Sequence, residues 1–139
     1  MIYNPEQNAI QKAFDVFSQI FYDQFPYHIE KITLTISSKI EHTSYTTAIL
    51  GAASFYYGEL DGGRSDGKLN RAKIIVYPLV GFTYPHVSWY HIMGHEFGHL
   101  ATVLNVNNYV KYVAISYLEM EKAADDWMFE KLKLIGIES

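Results

Sequence analysis

The 139-residue sequence contains no cysteine. This absence excludes disulfide frameworks, cysteine-ligated zinc and thiol catalysis. It also lacks an uninterrupted apolar run of about 18 residues, the minimum expected of a membrane-spanning helix. The first residues, MIYNPEQNAIQKAF, do not combine a basic segment with an apolar run as a secretory signal does. We therefore expect a soluble, cytoplasmic protein that does not enter a membrane.

Neither positive nor negative charge is in large excess. The net charge is −4, and no block of like charges occurs, so nucleic acid is not an expected partner. Apolar residues make up 49% of the chain, with 12 Tyr and 8 Phe among them. A chain of this length and composition is typical of one compact domain, which we expect to cover residues 1–139.

Hydrophobic periodicity predicts a helix, three strands and two further helices, in that order. The first helix begins at Asn4, with Pro5 in its first turn, and ends at Pro26. A glycine- and aspartate-rich loop is expected between the second and third strands. The pattern predicts an α+β fold with a small sheet of about three strands. The predicted strands lie within 29–37, 45–60 (bulged near Gly51) and 71–80, with the loop at 61–70. The two later helices are predicted over 88–105 and 116–136.

The segment HEFGH places His95 and His99 four residues apart. On a helix their Cβ atoms share one face about 5–6 Å apart, so both imidazoles can bind one zinc ion at about 2.0–2.1 Å. Glu96 lies about 100° further round the helix, where its carboxylate can reach water bound to the ion. Zinc lowers the pKa of such water, and a nearby carboxylate can accept the proton. The spacing therefore predicts a hydrolytic metal site, although a helix with incidental histidines and no metal is the structural alternative.

Two other features surround this motif. Glycine is unfavourable inside a helix, so Gly94 and Gly98 call for an explanation. We expect their lack of side chains to let a substrate or a strand approach the ligands. His91 forms a second four-residue pair with His95, but that pair would put Ile92 where the base is needed. His91 therefore stays outside the predicted ligand set.

A zinc ion in a hydrolytic site needs a third protein ligand. The chain has Asn105 where a third histidine would follow HEFGH in one known arrangement. The last predicted helix supplies Glu121 instead, with Asp125 one turn later to accept the N–H of a ligand histidine. Glu119 is the rival third ligand, but on a helix it faces about 160° away from Glu121.

HEFGH followed by EKAAD resembles the zincin metallopeptidases of the gluzincin type, in which a glutamate on a later helix completes the site. The E-x-x-A-D form is similar to that of the CaaX-type membrane proteases and, with variations, of small soluble peptidases of the ImmA/IrrE type. The resemblance implies a minimal zincin domain that holds one Zn²⁺ ion and cleaves a peptide or protein substrate. By position it implies His95, His99 and Glu121 as ligands, Glu96 as catalytic base and Asp125 as outer partner.

The resemblance covers residues 94–99 and 121–125 in detail. It departs from the ImmA/IrrE pattern at Ala123, where those peptidases often have a second glutamate, and the membrane helices of the CaaX-type enzymes are absent. In zincins an edge strand holds an extended substrate by strand addition, and we expect AKIIVY (72–77) to be the strand nearest the active helix.

These observations predict a zinc-dependent peptidase. The alternative is a zincin-like regulatory or interaction module that binds metal and cleaves little. Peptide hydrolysis also needs a donor to the developing oxyanion, and the sequence leaves six candidates unranked: Tyr84, His86, His91, Tyr109, Tyr112 and Tyr117.

Overall fold

The computed structural model of the chain has mixed helix and strand, compatible with the α+β class. It describes residues 4–26, 29, 31–37, 51–60, 64–78, 88–105 and 116–137. The elements follow the predicted order, and their bounds are α1 Asn4–Gln24, β1 Lys31–Ile36, β2 Gly51–Leu60, β3 Arg64–Val76, α2 Trp89–Asn105 and α3 Tyr117–Leu134. No helix within these ranges is both long and apolar enough to cross a membrane.

The strands form one sheet in the order β1-β3-β2. β3 lies in the centre, parallel to β1 and antiparallel to β2. Among the described strands, β1 and β2 are therefore the edges. Helix α2 packs against β2 and β3, which puts the β2 edge on the side of the sheet nearer to that helix.

The predicted start of β3 and the predicted loop before it are wrong. β3 begins at Arg64, and residues 64–69 pair with the end of β2. Backbone hydrogen bonds in a hairpin need no hydrophobic side chains, so a glycine- and aspartate-rich segment can belong to a strand. The expected bulge near Gly51 is also displaced, because the register shifts lie between Tyr56 and Glu59. At that point β2 and β3 extend beyond the part of β3 that pairs with β1. They continue as a two-stranded ribbon, which tolerates stronger twist.

Helix α1 contributes the aromatic part of the core. Phe17 and Phe21 are fully buried, one turn apart. Phe17 stacks on Phe97 of α2 at a ring-centroid distance of 6.2 Å, and Phe21 contacts the same ring at 5.8 Å in a tilted arrangement. Trp127 of α3 packs on the same two rings, and its Nε1–H donates to Oε1 of Gln24 at 3.0 Å. The three helices thus meet on one aromatic cluster, which fixes α3 relative to α2.

Helix α3 has defined ends. Ser116 is its N-cap and accepts a hydrogen bond from the backbone N–H of Glu119. Its C-terminal turn ends at Gly136, whose φ of 79° is readily adopted by glycine. One face of the helix, including Ala124 and Met128, is buried, and this leaves Glu121 and Asp125 on the flank of the buried face, next to α2.

Candidate metal centre

Two imidazoles on α2 direct the same atom toward one point. The Nε2 atoms of His95 and His99 lie 3.1 Å apart, and their rings are nearly perpendicular. Residues four apart share a helix face, so the spacing of HEFGH accounts for this meeting. The two side chains are largely buried, with exposed fractions of 23% and 12%.

Helix α3 brings a carboxylate to both rings. Oε2 of Glu121 lies 2.8 Å from Nε2 of His95, and Oε1 lies 3.3 Å from Nε2 of His99. The structure therefore brings together the three residues predicted as ligands. The rival, Glu119, lies on the exposed side of the first turn of α3.

The other nitrogen of His95 is held by Asp125. Oδ1 of Asp125 lies 2.7 Å from Nδ1 of His95. An ionised carboxylate only accepts hydrogen bonds, so Nδ1 carries its hydrogen toward Asp125. This contact fixes the ring with Nε2 facing Glu121, as the sequence predicted for an outer partner of a ligand histidine.

The charges around the two imidazoles favour protonation of one of them over protonation of both. Burial alone would lower the pKa of His95, but the neighbouring carboxylates of Glu96, Asp125 and Glu121 outweigh it, so the pKa of His95 is raised. Burial and the charge on His95 lower the pKa of His99. The pair therefore takes up one positive charge more readily than two.

Glu96 lies beside this group but in a different environment. Its carboxyl is buried, 5% exposed. Burial raises the pKa of Glu96 to about 7; the charge on His95 opposes this shift and that of Glu121 adds to it. A carboxyl group with a pKa near 7 suits proton transfer at neutral pH.

Two sets of three residues could surround an ion here, because both include the imidazoles. The ligand atoms of His95, Glu96 and His99 lie within 4.8 Å of one another. The oxygens of Glu121 are closer to the imidazoles than that limit. Either glutamate therefore lies close enough to form a group of three with His95 and His99.

The separations fit a small divalent cation. A tetrahedral ion with bonds of about 2.0–2.1 Å holds its ligand atoms about 3.3 Å apart. The Nε2 atoms of His95 and His99 are 3.1 Å apart; Oε2 of Glu121 lies 2.8 Å from the first of them, and its other oxygen, Oε1, lies 3.3 Å from the second. Two imidazoles and a carboxylate are also donors that divalent transition metals accept, so this group can hold a metal ion.

The two glycines do not have the role expected of them. A Cβ atom at residue 98 would overlap the carbonyl oxygen of Ala124, and one at residue 94 would lie 2.7 Å from Cζ of Phe17. Among the described residues, the space that a Cβ atom at either glycine would need is thus filled by atoms of α3 and α1. The contact between Gly98 and Ala124 was not predicted from the sequence. Two glycines four residues apart, opposite an alanine, were the available signal.

Two of the six candidate oxyanion donors lie within the described residues. His91 is one turn before His95, and its Nδ1 contacts Oγ of Ser88. Tyr117 is 71% exposed in the first turn of α3. The other four lie outside the described residues: Tyr84, His86, Tyr109 and Tyr112.

Comparison with known proteins adds no relative. No protein-family model, no curated protein and no solved structure matches this chain.

Proposed function

We propose that the protein is a zinc-dependent metallopeptidase of the gluzincin kind. The observation that carries the proposal is the placement of the Glu121 carboxylate, 2.8 and 3.3 Å from the two imidazoles of HEFGH. Two imidazoles and one carboxylate, with a further glutamate beside them, form the protein part of a hydrolytic zinc site. One Zn²⁺ ion is proposed, held by His95, His99 and Glu121.

Each residue then has a defined part in peptide hydrolysis. A bound zinc ion supplies a Lewis acid that lowers the pKa of water and polarises the substrate carbonyl. Glu96 would accept the proton of the attacking water and deliver it to the leaving amine; its pKa of about 7 is that of the zinc-free protein, and a bound cation would lower it. Asp125 holds the His95 ring in the orientation that ligation requires.

An extended peptide is the proposed substrate. Among the described strands β2 is an edge, and α2 packs against it. β3, which contains AKIIVY, is paired on both sides over residues 71–76 and has no free edge there. Strand addition along β2 would therefore place a substrate backbone on the same side of the sheet as α2.

Replacement of the proposed base tests the catalytic role. Glu96→Gln keeps the shape of the side chain but cannot accept a proton, so we expect full zinc content and a loss of about 10²–10⁴-fold in cleavage rate. Zinc content is measured by atomic spectroscopy and cleavage with a fluorogenic peptide library. Glu119→Gln is the matched control, because it removes an exposed carboxylate and should leave both quantities unchanged.

One observation favours the second candidate function, a metal-binding interaction module. Glu96 is only 5% exposed, which restricts access of a substrate-bound water to its carboxylate. If the wild-type protein and Glu96→Gln both bind zinc and neither cleaves any peptide, the module is the better assignment. A wild-type protein that binds no divalent metal would contradict both functions.

A further inference from the structure

The two ligand helices are in close backbone contact near the proposed ligands. Gly98 stands next to His99 on α2, and Ala124 stands next to Asp125 on α3. A Cβ atom at residue 98 would lie 2.8 Å from Cα of Ala124 and would overlap its carbonyl oxygen. Both groups belong to the backbone of α3, so side-chain rotation cannot make room for a methyl group.

Gly94, one turn earlier, has a different kind of neighbour. A Cβ atom there would lie 2.7 Å from Cζ of Phe17 and 2.8 Å from Cγ of Met128. Both are side-chain atoms, so the contacts at residue 94 do not involve the backbone of α3. The two glycines are therefore matched in burial and helical position but differ in whether the α3 backbone limits the space.

We infer that Gly98 is a positioning residue of the metal centre, because its lack of a side chain lets the α3 backbone at Ala124 come close enough for Glu121 to reach both imidazoles. The inference rests on the proposed function, in which Glu121 is a zinc ligand. Glu121 precedes Ala124 by three residues, or about 4.5 Å along the helix, so a shift of α3 at the contact moves Glu121 by a similar amount.

The required shift is large on the scale of a metal site. Non-bonded carbon atoms are best separated by about 3.5–4.0 Å, and residue 98 would have its Cβ 2.8 Å from Cα of Ala124. An alanine there would thus displace the α3 backbone by about 1 Å. Metal–ligand distances tolerate only about 0.2 Å, so the displacement removes Glu121 from ligand distance unless its side chain extends to follow.

The experiment compares Gly98→Ala with Gly94→Ala as the matched control, and Glu121→Gln as the reference for loss of the ligand. Zinc affinity of each purified variant is measured by competition with a chromophoric chelator. Circular dichroism establishes the folded fraction, and measurement in sucrose helps to keep a weakened variant folded. Imidazole NMR resonances of His95 and His99 in zinc-free protein report the contacts with Glu121 without any metal.

Gly98→Ala should weaken zinc binding by about tenfold or more and shift the His95 and His99 resonances in the direction seen for Glu121→Gln. Gly94→Ala should keep the wild-type affinity and resonances. Gly98→Ala with wild-type affinity and resonances, or Gly94→Ala with an equal loss, would overturn the inference. A wild-type protein that binds no zinc contradicts the proposed function, and the resonances still decide whether Gly98 positions Glu121.

Discussion

Oδ1 of Asp125 lies 2.7 Å from Nδ1 of His95, on the opposite side of the ring from the Nε2 atom that faces Glu121. A single imidazole is thus held between two carboxylates of α3, which stand one turn apart. The Asp125 side chain is 48% exposed, so burial does not explain why it is directed at the ring. Its contact with His95 is what a ligand histidine requires for a fixed orientation and tautomer.

Removal of this carboxylate should weaken metal binding without removing a ligand. We expect Asp125→Ala to lower zinc affinity by about 10–100-fold, the effect of losing the outer partner of a ligand histidine. Asp126→Ala is the control on the next residue, because Asp126 is exposed and pairs with Lys122 at 2.8 Å. Chelator competition measures both variants, and equal affinities for Asp125→Ala and Asp126→Ala would contradict a role for Asp125 in the site.

The choice between Glu121 and Glu119 as the third ligand is tested by a second pair of variants. Glu121→Gln should lower zinc affinity by more than the about 10–100-fold effect of losing an outer partner, because it removes a charged ligand. Glu119→Gln should leave the affinity unchanged, since Glu119 lies on the exposed side of the helix. Isothermal titration with zinc distinguishes them. A larger loss with Glu119→Gln would move the third-ligand assignment to that residue.

The parts of the site that could be predicted from the sequence are those set by local geometry. A four-residue spacing decides that His95 and His99 share a face, whatever the tertiary structure is. Glu121 and Asp125 are also four residues apart, on α3. Glu119 faces about 160° away from Glu121 on any helix, so the preference for Glu121 required only that this segment be helical. The structure brings these side chains together, while their role as metal ligands stays a prediction.

The parts that could not be predicted depend on what packs against a residue. The lack of a side chain at Gly98 is visible in the sequence, but it does not indicate whether a strand, a substrate or a helix packs there. In the structure the backbone of α3 occupies this place. The early start of β3 at Arg64 was missed for a related reason. Its first residues are held by pairing with β2, and main-chain pairing leaves no hydrophobic pattern to read.

The buried carboxyl of Glu96 predicts how the stability of the zinc-free protein depends on pH. Its folded pKa of about 7 lies above the ordinary glutamate value of 4.5. A group whose pKa is higher in the folded than in the unfolded protein stabilises the fold fully at pH values below its unfolded pKa. This stabilisation is lost as the pH rises through its folded pKa. We therefore expect the free energy of unfolding of chelator-treated wild-type protein to fall by about 3 kcal/mol between pH 4.5 and pH 8 on account of this group.

Urea unfolding of wild-type protein and Glu96→Gln at a series of pH values measures this contribution. Glutamine does not titrate, so the stability difference between the two proteins should change with pH while the effects of groups common to both largely cancel. Two neighbours bear on the comparison, since the charge on His95 opposes the rise in the pKa of Glu96 and that of Glu121 adds to it. A difference that stays constant from pH 4.5 to pH 8 would mean that Glu96 is ionised at little cost in the folded protein, and its assignment as the proton acceptor at neutral pH would lose the support of a matched pKa.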